Sequence, residues 1–383
     1  MSSLKFMERL LAGVAVEWKT LGEIAQYSKT RINFEKLDET NYVGVDNLLQ
    51  NRAGKSSSSY VPTSGNLTEY CKNDILIGNI RPYLKKIWQA DCVGGTNGDV
   101  LVLRCTDSSI NPRYLYQVLA DDKFFDYNMQ HAKGAKMPRG NKEEILKYEI
   151  PVPSPKEQAR IVRILDTFTE LTTELTTELN LRKKQYNYYR NQLLSFEDGD
   201  VEWKALGEVV SMRAGHHISA SKISDSFADD FIYPCFGGNG VRGYVEEKSH
   251  DGDYLLIGRQ GALCGNVQRM KGKFYATEHA VVVTVGPNFN IDWAFHMLTL
   301  MNLNQYASQS AQPGLAVGKL EGLKIPVPAL TEQIRIASIL DKFDTLNGSI
   351  TEGLPREIEL RQKQYEYYRD LLLSFSKPGR ESQ

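Results

Sequence analysis

Two short strings in this 383-residue chain carry residue types suited to methyl transfer onto an adenine. Asn111-Pro112-Arg113-Tyr114 is one residue away from Asn-Pro-Pro-Tyr, a catalytic motif of adenine methyltransferases. Phe236-Gly237-Gly238-Asn239-Gly240 satisfies the F-x-G-x-G cofactor pattern, and the order of the two strings suits a circularly permuted methyltransferase. Other constellations offer less. His216, His217, His250 and His279 are scattered without paired carboxylates or a nucleophile, and His279 reads as the edge of a strand. Cys71, Cys92, Cys105, Cys235 and Cys264 form no C-x-x-C pair and have no ligand spacing. Reduced thiols, a cytoplasmic location and no metal site are therefore expected.

Whether either string does chemistry depends on the elements that position it, and an internal repeat sets those elements. VEWKTLGEI at Val16–Ile24 returns as VEWKALGEV at Val201–Val209, and DILIGNIR at Asp74–Arg81 resembles DYLLIGRQ at Asp253–Gln260. YEIPVPSPKEQARIVRILDTF (Tyr148–Phe168) returns at Leu323–Phe343, and RKKQYNYYRNQLLSF (Arg182–Phe196) at Arg361–Phe375. Four islands in one order mean duplication. The repeat also aligns Ser109–Leu119 with Asn288–Leu298. Asn111 and Pro112 thus read as the N-cap and first residue of a helix that both copies possess. No clear crossover helix follows FGGNG, so the mechanism of a cofactor loop is missing. Catalysis by this chain is not expected.

Each copy reads as a globular half followed by a long helix. DILIG, GDVLVLR, DYLLIG and HAVVVTV are short β-rich runs between Gly- and Asn-bearing turns, interrupted by one helix per half, Asn111–Ala120 and Asn290–Leu300. The prolines of IPVP mark a boundary before each long helix. Ser154, Pro155 and Glu157 offer a capping box; in the second copy Ala329 replaces the serine, with Thr331 as a substitute cap. Apolar residues recur from Ile161 through Leu165, Phe168, Leu171, Leu175, Leu179, Tyr186 and Tyr189 to Leu193, and from Ile336 to Leu372 in the second copy. Gly353-Leu354-Pro355 should break the second helix, with Pro355 restarting it. Leu171, Leu175 and Leu179 step by four, a stutter in a coiled coil. The expected fold class is α+β, with two α/β globular domains joined by two long helices that pair with each other. The expected boundaries are an N-terminal segment 1–15, a globular domain 16–153, a helical region 154–196, a second globular domain 197–328, a second helical region 329–376 and a tail 377–383.

The formal net charge is −1, so any nucleic-acid surface must come from local segregation of charge. No apolar run reaches the roughly 20 residues needed to span a bilayer, and no membrane partner is expected.

The repeated strings IPVPxxxEQxRIxxILDxF and RxKQYxYYRxxLLSF resemble the specificity subunit of type I restriction-modification enzymes over nearly the whole chain. TELTTELTTEL at Thr169–Leu179 resembles the central four-residue repeat of one subfamily. The resemblance implies two target-recognition domains, each reading half of a bipartite site in double-stranded DNA. It implies an antiparallel coiled-coil spacer, a pseudo-twofold arrangement in which the N-terminal segment closes a ring, and partners comprising two modification subunits and the restriction (motor and nuclease) subunits. S-adenosylmethionine, ATP and Mg would be used by those partners and by none of this chain's residues. Each four-residue step adds roughly 6 Å of helix, so the spacer between half-sites should follow the number of TTEL units.

DNA contacts are expected where the copies diverge, from basic side chains on phosphates and a few groups on base edges. In the first half these are Lys29, Arg31, Lys55, Asn79, Arg81, Lys133, Lys136, Arg139 and Lys142. The second half offers Arg213, His216, His217, Lys222, Asn239, Arg242, Arg259, Gln260, Asn266, Gln309, Gln312 and Lys319. Arg81 and Arg259 stand out because each follows a strand-like run at what reads as a matched place. Arg182, Tyr186, Tyr189, Arg361, Tyr365 and Tyr368 repeat almost unchanged on the helices, which favours packing and partner contact over base stacking.

Overall fold

The computed structural model describes residues 14–197, 199–261, 263–309, 313–348, 353–375 and 377, without the side chains of 346–348. The closing segment 1–15 and the tail 377–383 lie almost wholly outside the described residues, as does Gln312.

The chain forms two compact units, one from residues up to Glu174 together with Ile358 onward, the other from Leu175–Glu357. The helical regions do not stand apart; each is divided between the units. A helix with one apolar stripe must bury it somewhere, and these helices bury theirs on the globular ends.

The first unit runs β1 (Val16–Thr20), α1 (Leu21–Ile24), β2 (Ala25–Tyr27), β3 (Arg31–Asn33), β4 (Tyr42–Val43), β5 (Asn66–Tyr70) and β6 (Ile75–Gly78). It continues with β7 (Ile87–Gln89), β8 (Gly94–Thr96), β9 (Val100–Cys105), α2 (Pro112–Leu119), α3 (Asp122–Gln130), α4 (Lys142–Leu146), β10 (Glu149–Pro153) and α5 (Pro155–Leu193), which belongs to the second unit from Leu175 onward. Two four-stranded sheets, ordered β2-β9-β6-β7 and β3-β5-β8-β4, accompany the pair β1-β10. The β2-β9-β6-β7 sheet packs Ile75, Ile77, Leu101 and Leu103 against Tyr114, Leu115, Phe124 and Phe125 of α2 and α3, and the core closes on Ile161 and Leu165 of α5.

The second unit runs β11 (Glu202–Ala205), α6 (Leu206–Val209), β12 (Val210–Ala214), β13 (Tyr233–Gly237), β14 (Gly240–Val245), β15 (His250–Gly258), β16 (Val267–Ala276) and β17 (Ala280–Val285). Then follow α7 (Ile291–Leu300), α8 (Val317–Glu321), β18 (Lys324–Val327), α9 (Leu330–Gly348) and α10 (Leu354–Leu372), which belongs to the first unit from Ile358 onward. Its six-stranded sheet is ordered β12-β17-β15-β16-β13-β14, and β11 pairs with β18.

Both expected helix starts are present: Asn111 Oδ1 accepts the Arg113 amide at 2.8 Å, and Asn290 Oδ1 accepts that of Trp293 at 2.8 Å. FGGNG is the end of β13, a two-residue turn and the start of β14, so a hairpin strand follows it and no helix. Several expectations need correction. The first half has two consecutive helices, α2 and α3, where one was expected; Asp121 caps the second. IPVP is more than a boundary: it lies in β10 and β18, with Trp18 opposite Pro151 and Trp203 opposite Pro326. A two-stranded ribbon tolerates proline on its open edge. Half of the capping box forms, the Glu157 amide donating to Ser154 Oγ at 3.4 Å, while the Glu157 carboxylate faces Arg160 at 3.8 Å. Thr331 is no cap. It lies inside α9, and the Ala329 carbonyl takes the first turn's amides.

The threonines of the TELTTEL run fold back on the helix that carries them. Thr169, Thr172 and Thr173 donate to the carbonyls four residues earlier at 3.2, 2.8 and 2.8 Å. The hydroxyls thereby find partners within α5, which runs uninterrupted through the repeat.

Candidate nucleic-acid interface

In the first unit the candidate surface is built at the end of β6. The Asn79 amide donates to the Asp99 carbonyl at 2.8 Å and the Arg81 amide to the Pro138 carbonyl at 2.7 Å. Lys133 and Arg139 exchange two main-chain hydrogen bonds at 2.9 Å, closing a tight loop with Lys136 and Met137 near its tip. Arg139 also reaches Asp99, Nη1 to Oδ1, at 2.8 Å. The fold thus brings Arg81, Lys133, Lys136 and Arg139 together, all exposed, on two loops locked to each other.

The second unit builds the same frame with other side chains. The Arg259 amide donates to the His279 carbonyl at 2.8 Å, and the Gly261 amide to the Pro313 carbonyl at 3.0 Å. The Ser308 amide donates to the Gly314 carbonyl at 2.9 Å, as Lys133 does to Arg139. The hairpin turn at Gly238 and Asn239 packs against this frame. A Cβ on Gly258 would lie 2.0 Å from the Gly238 carbonyl oxygen, so only glycine fits there. Polar side chains converge on the turn: Asn266 Nδ2 donates to Asn239 Oδ1 at 3.0 Å, and Gln260 Oε1 meets His279 Nδ1 at 2.8 Å. His217 Nδ1 lies 2.8 Å from Glu278 Oε1. Burial alone would raise the Glu278 carboxyl, but the bond from His217 and the proximity of His217 and His279 bring it below the usual carboxylate range.

This register corrects one expectation. Gly78 pairs with Val100 and Gly258 with Ala280, so Arg259 occupies the place of Asn79, and Arg81 that of Gly261. Arg81 and Arg259 are neighbours in type, not equivalents. Asn79 itself is 6% exposed, its carboxamide turned inward beside Asn128 and Gly140, and it cannot reach a ligand outside the loop. Its main chain holds the loop, the amide donating to the Asp99 carbonyl and the carbonyl accepting the Gly140 amide at 3.1 Å.

The remaining candidates lie elsewhere in each unit. Lys29 and Arg31 sit at the start of the small sheet, Arg31 donating to Thr68 Oγ1 at 3.1 Å. Lys55 is engaged, donating to the Thr40 carbonyl at 2.7 Å over the Trp88 ring. Lys142 opens α4, where Asn141 is the cap. Arg213 lies on edge strand β12, Lys222 in a 3₁₀ turn, and Lys319 donates to the Tyr306 carbonyl at 2.9 Å. His216 joins Thr277 in a β-bridge, and its ring centroid is 6.1 Å from that of His250. Arg242 is exposed on β14 beside the turn. His279, read in the sequence as the edge of a strand, stands directly before β17 and lines this turn through Gln260. The repeat carried a signal of this place, because Asp99 stands there in the first copy, directly before a core strand.

On the helices, Arg182 pairs with Glu178 at 2.6 Å and Arg361 donates to Gln364 at 3.0 Å. Tyr186 and Tyr365 turn into their own units: the Tyr365 hydroxyl donates to Gln117 Oε1 at 2.6 Å, and that of Tyr186 meets His296 Nδ1 at 3.4 Å. Burial pushes the Tyr365 hydroxyl up to about 12. Phe168 stacks on Tyr368 at 5.1 Å in the first unit, and Tyr189 on Phe343 at 5.7 Å in the second. The more exposed rings are Tyr188 and Tyr367.

A family model for the type I restriction modification DNA specificity domain matches residues 14–182 and again 199–360. The chain is 47% identical over 382 residues to the EcoprrI specificity subunit of Escherichia coli, covering 92% of this chain and 93% of that one. It is 36% identical to the Escherichia coli EcoR124I/EcoR124II specificity subunit, over 99% of both. Among solved structures, the type I restriction-modification S subunit from M. genitalium superimposes with a TM-score of 0.64 at 15% identity, covering 95% of this chain and 98% of that one. A chain from a study of type I restriction-modification assembly gives 0.58 at 17% identity, over 94% and 97%. These two likenesses concern the fold.

Proposed function

The chain belongs to the type I restriction-modification DNA specificity family, a sequence-specific DNA-recognition subunit of a type I complex, and from that premise we propose that each unit reads one half of a bipartite site through its clamped loop pair. The observation that carries this reading is the frame itself: matching main-chain hydrogen bonds hold both loop pairs, with Ser308 Oγ taking the Gly314 amide where the Lys133 carbonyl takes that of Arg139, while the side chains presented differ. A shared frame with divergent side chains suits two readers of different sequences.

In the first unit Arg81, Lys133, Lys136 and Arg139 supply phosphate and base-edge contacts. Arg242, Arg259, Gln260, Asn266, His216 and His217 do so in the second. Two modification subunits bind the helices and methylate adenine with S-adenosylmethionine. Restriction subunits use ATP and Mg, and the complex works in the cytoplasm. The number of TTEL units in α5 sets the spacer.

Reconstitution with the modification subunits, followed by mapping of methylated adenines, tests this. One interrupted motif with a modified adenine in each half is expected, and a contiguous motif would overturn it. Radiolabelled S-adenosylmethionine should bind the assembled complex and not the isolated chain.

A further inference from the structure

We propose that Tyr83 and Leu263 are specificity-determining residues, one in each unit, and that Leu263 reads the 5-methyl group of a thymine. This rests on the reading just given and goes beyond it by naming the side chain at the centre of each frame and its target.

The two residues occupy one position. With Gly78 matched to Gly258 by strand register, Tyr83 and Leu263 each fall five residues beyond the glycine. The same hydrogen bond recurs in both units: the Leu84 amide donates to the Arg81 carbonyl at 2.9 Å, and the Cys264 amide to that of Gly261 at 3.0 Å. Both turns are anchored further. Asn51 and Arg52 donate to the carbonyls of Leu84 and Lys85 at 3.0 Å, and the Gly265 amide donates to the Gly258 carbonyl at 2.7 Å.

On turns held this firmly, Tyr83 is 50% exposed and Leu263 is 54% exposed. Single exposed apolar residues are ordinary and need no explanation. Here the exposure recurs at the same place in two loops that share a frame and differ in the side chains they carry. Arg81 belongs to the same turn as Tyr83, and the Asn266 amide donates to the Leu263 carbonyl at 3.2 Å.

The two side chains differ in what they can recognise. Leucine has no donor or acceptor, so among groups displayed in the major groove it fits the thymine methyl. Tyrosine offers both a ring face and a hydroxyl, and can contact a methyl group or a polar base edge.

The test uses the full chain assembled with its modification subunits, and duplexes in which uracil replaces thymine in one half-site at a time. Uracil in the second half-site should weaken binding by about four-fold, the worth of one buried methyl group. Leu263→Ala should remove that difference and leave the first half-site untouched, while Tyr83→Ala relaxes base preference in the first half-site only. An equal uracil penalty in wild type and Leu263→Ala, or no uracil penalty in the second half-site of the wild type, overturns the proposal. Loss of all preference between cognate and random duplex by the wild-type complex would instead remove the reading beneath it.

Discussion

The side-chain oxygen of Gln333 accepts the main-chain amide of Asn290 at 2.8 Å, and Gln158 makes the same bond to Asn111 at 2.8 Å. Each glutamine is fully buried and donates in turn to a proline carbonyl, Gln333 to Pro328 and Gln158 to Pro153, both at 2.9 Å. One side chain thereby ties three elements: the ribbon, the helix after the sheet and the long helix. This is the role of the glutamine in the repeated EQxR string. Replacing either by leucine leaves a buried amide and a buried carbonyl without partners, at a cost of about 1–3 kcal/mol. Urea denaturation checks it; a midpoint unchanged by Gln333→Leu would show that water satisfies the pair.

His296 stands where the first copy has Gln117. It is buried, with Nε2 2.8 Å from Asp341 Oδ1 and 3.0 Å from Arg269 Nη2, and with Nδ1 facing the Tyr186 hydroxyl. Burial holds it below its ordinary value, outweighing the hydrogen bond to Asp341, which pulls the other way. A folded value below the unfolded one means the unfolded chain binds the proton better. The stability His296 contributes is therefore present above about pH 6.5 and is lost as pH falls below it. His296→Gln should flatten the fall in melting temperature between about pH 7.5 and about pH 5.5. Identical slopes for variant and wild type would count against a neutral buried ring.

Deleting Thr176–Leu179 removes one four-residue step, roughly 6 Å, from the uninterrupted helix α5. Methylation mapping on the deletant should return both half-sites unchanged with a shorter preferred spacer. A fixed spacer would mean that the helix is not the ruler.

Arg259 and Lys136 should separate two kinds of contact. Arg259 is half-buried, its guanidinium 3.5 Å from the Glu278 carbonyl, whereas Lys136 is exposed near a loop tip. Arg259→Ala should weaken binding by about 1–3 kcal/mol and relax one base position, while Lys136→Ala weakens all sequences alike and lowers the salt slope by about 1. Titrations at several salt concentrations distinguish them; unaltered binding by Arg259→Ala takes it off the reading surface.

The repeat made much of this legible. Equivalent strings predicted two units, and aligning Asn111 with Asn290 turned an apparent catalytic motif into a helix cap. Register was not legible. DILIGNIR and DYLLIGRQ invite alignment on their shared aspartates, but β9 and β17 fix which residues lie opposite, and they place glycine on glycine. On the aspartates Arg81 would match Gln260 and Arg259 would match Ile80; the strand register moves each by one place, Arg81 to Gly261 and Arg259 to Asn79. The inward turn of Asn79 was equally invisible, since loop residues read as exposed until a neighbouring loop covers them.

Phe168 and Phe343 are the same residue of the repeated unit, and so are Tyr189 and Tyr368. The stacked pairs join Phe168 to Tyr368 and Tyr189 to Phe343, so every pair takes its phenylalanine from one copy and its tyrosine from the other. A single copy is thus self-complementary but not self-sufficient: alone, it would carry both halves of the contact and could satisfy them only on a duplicate of itself. Encoding both copies in one chain lifts the requirement that the two loop pairs be identical. An ancestor restricted to palindromic targets could in this way come to read unlike half-sites without rebuilding its seam.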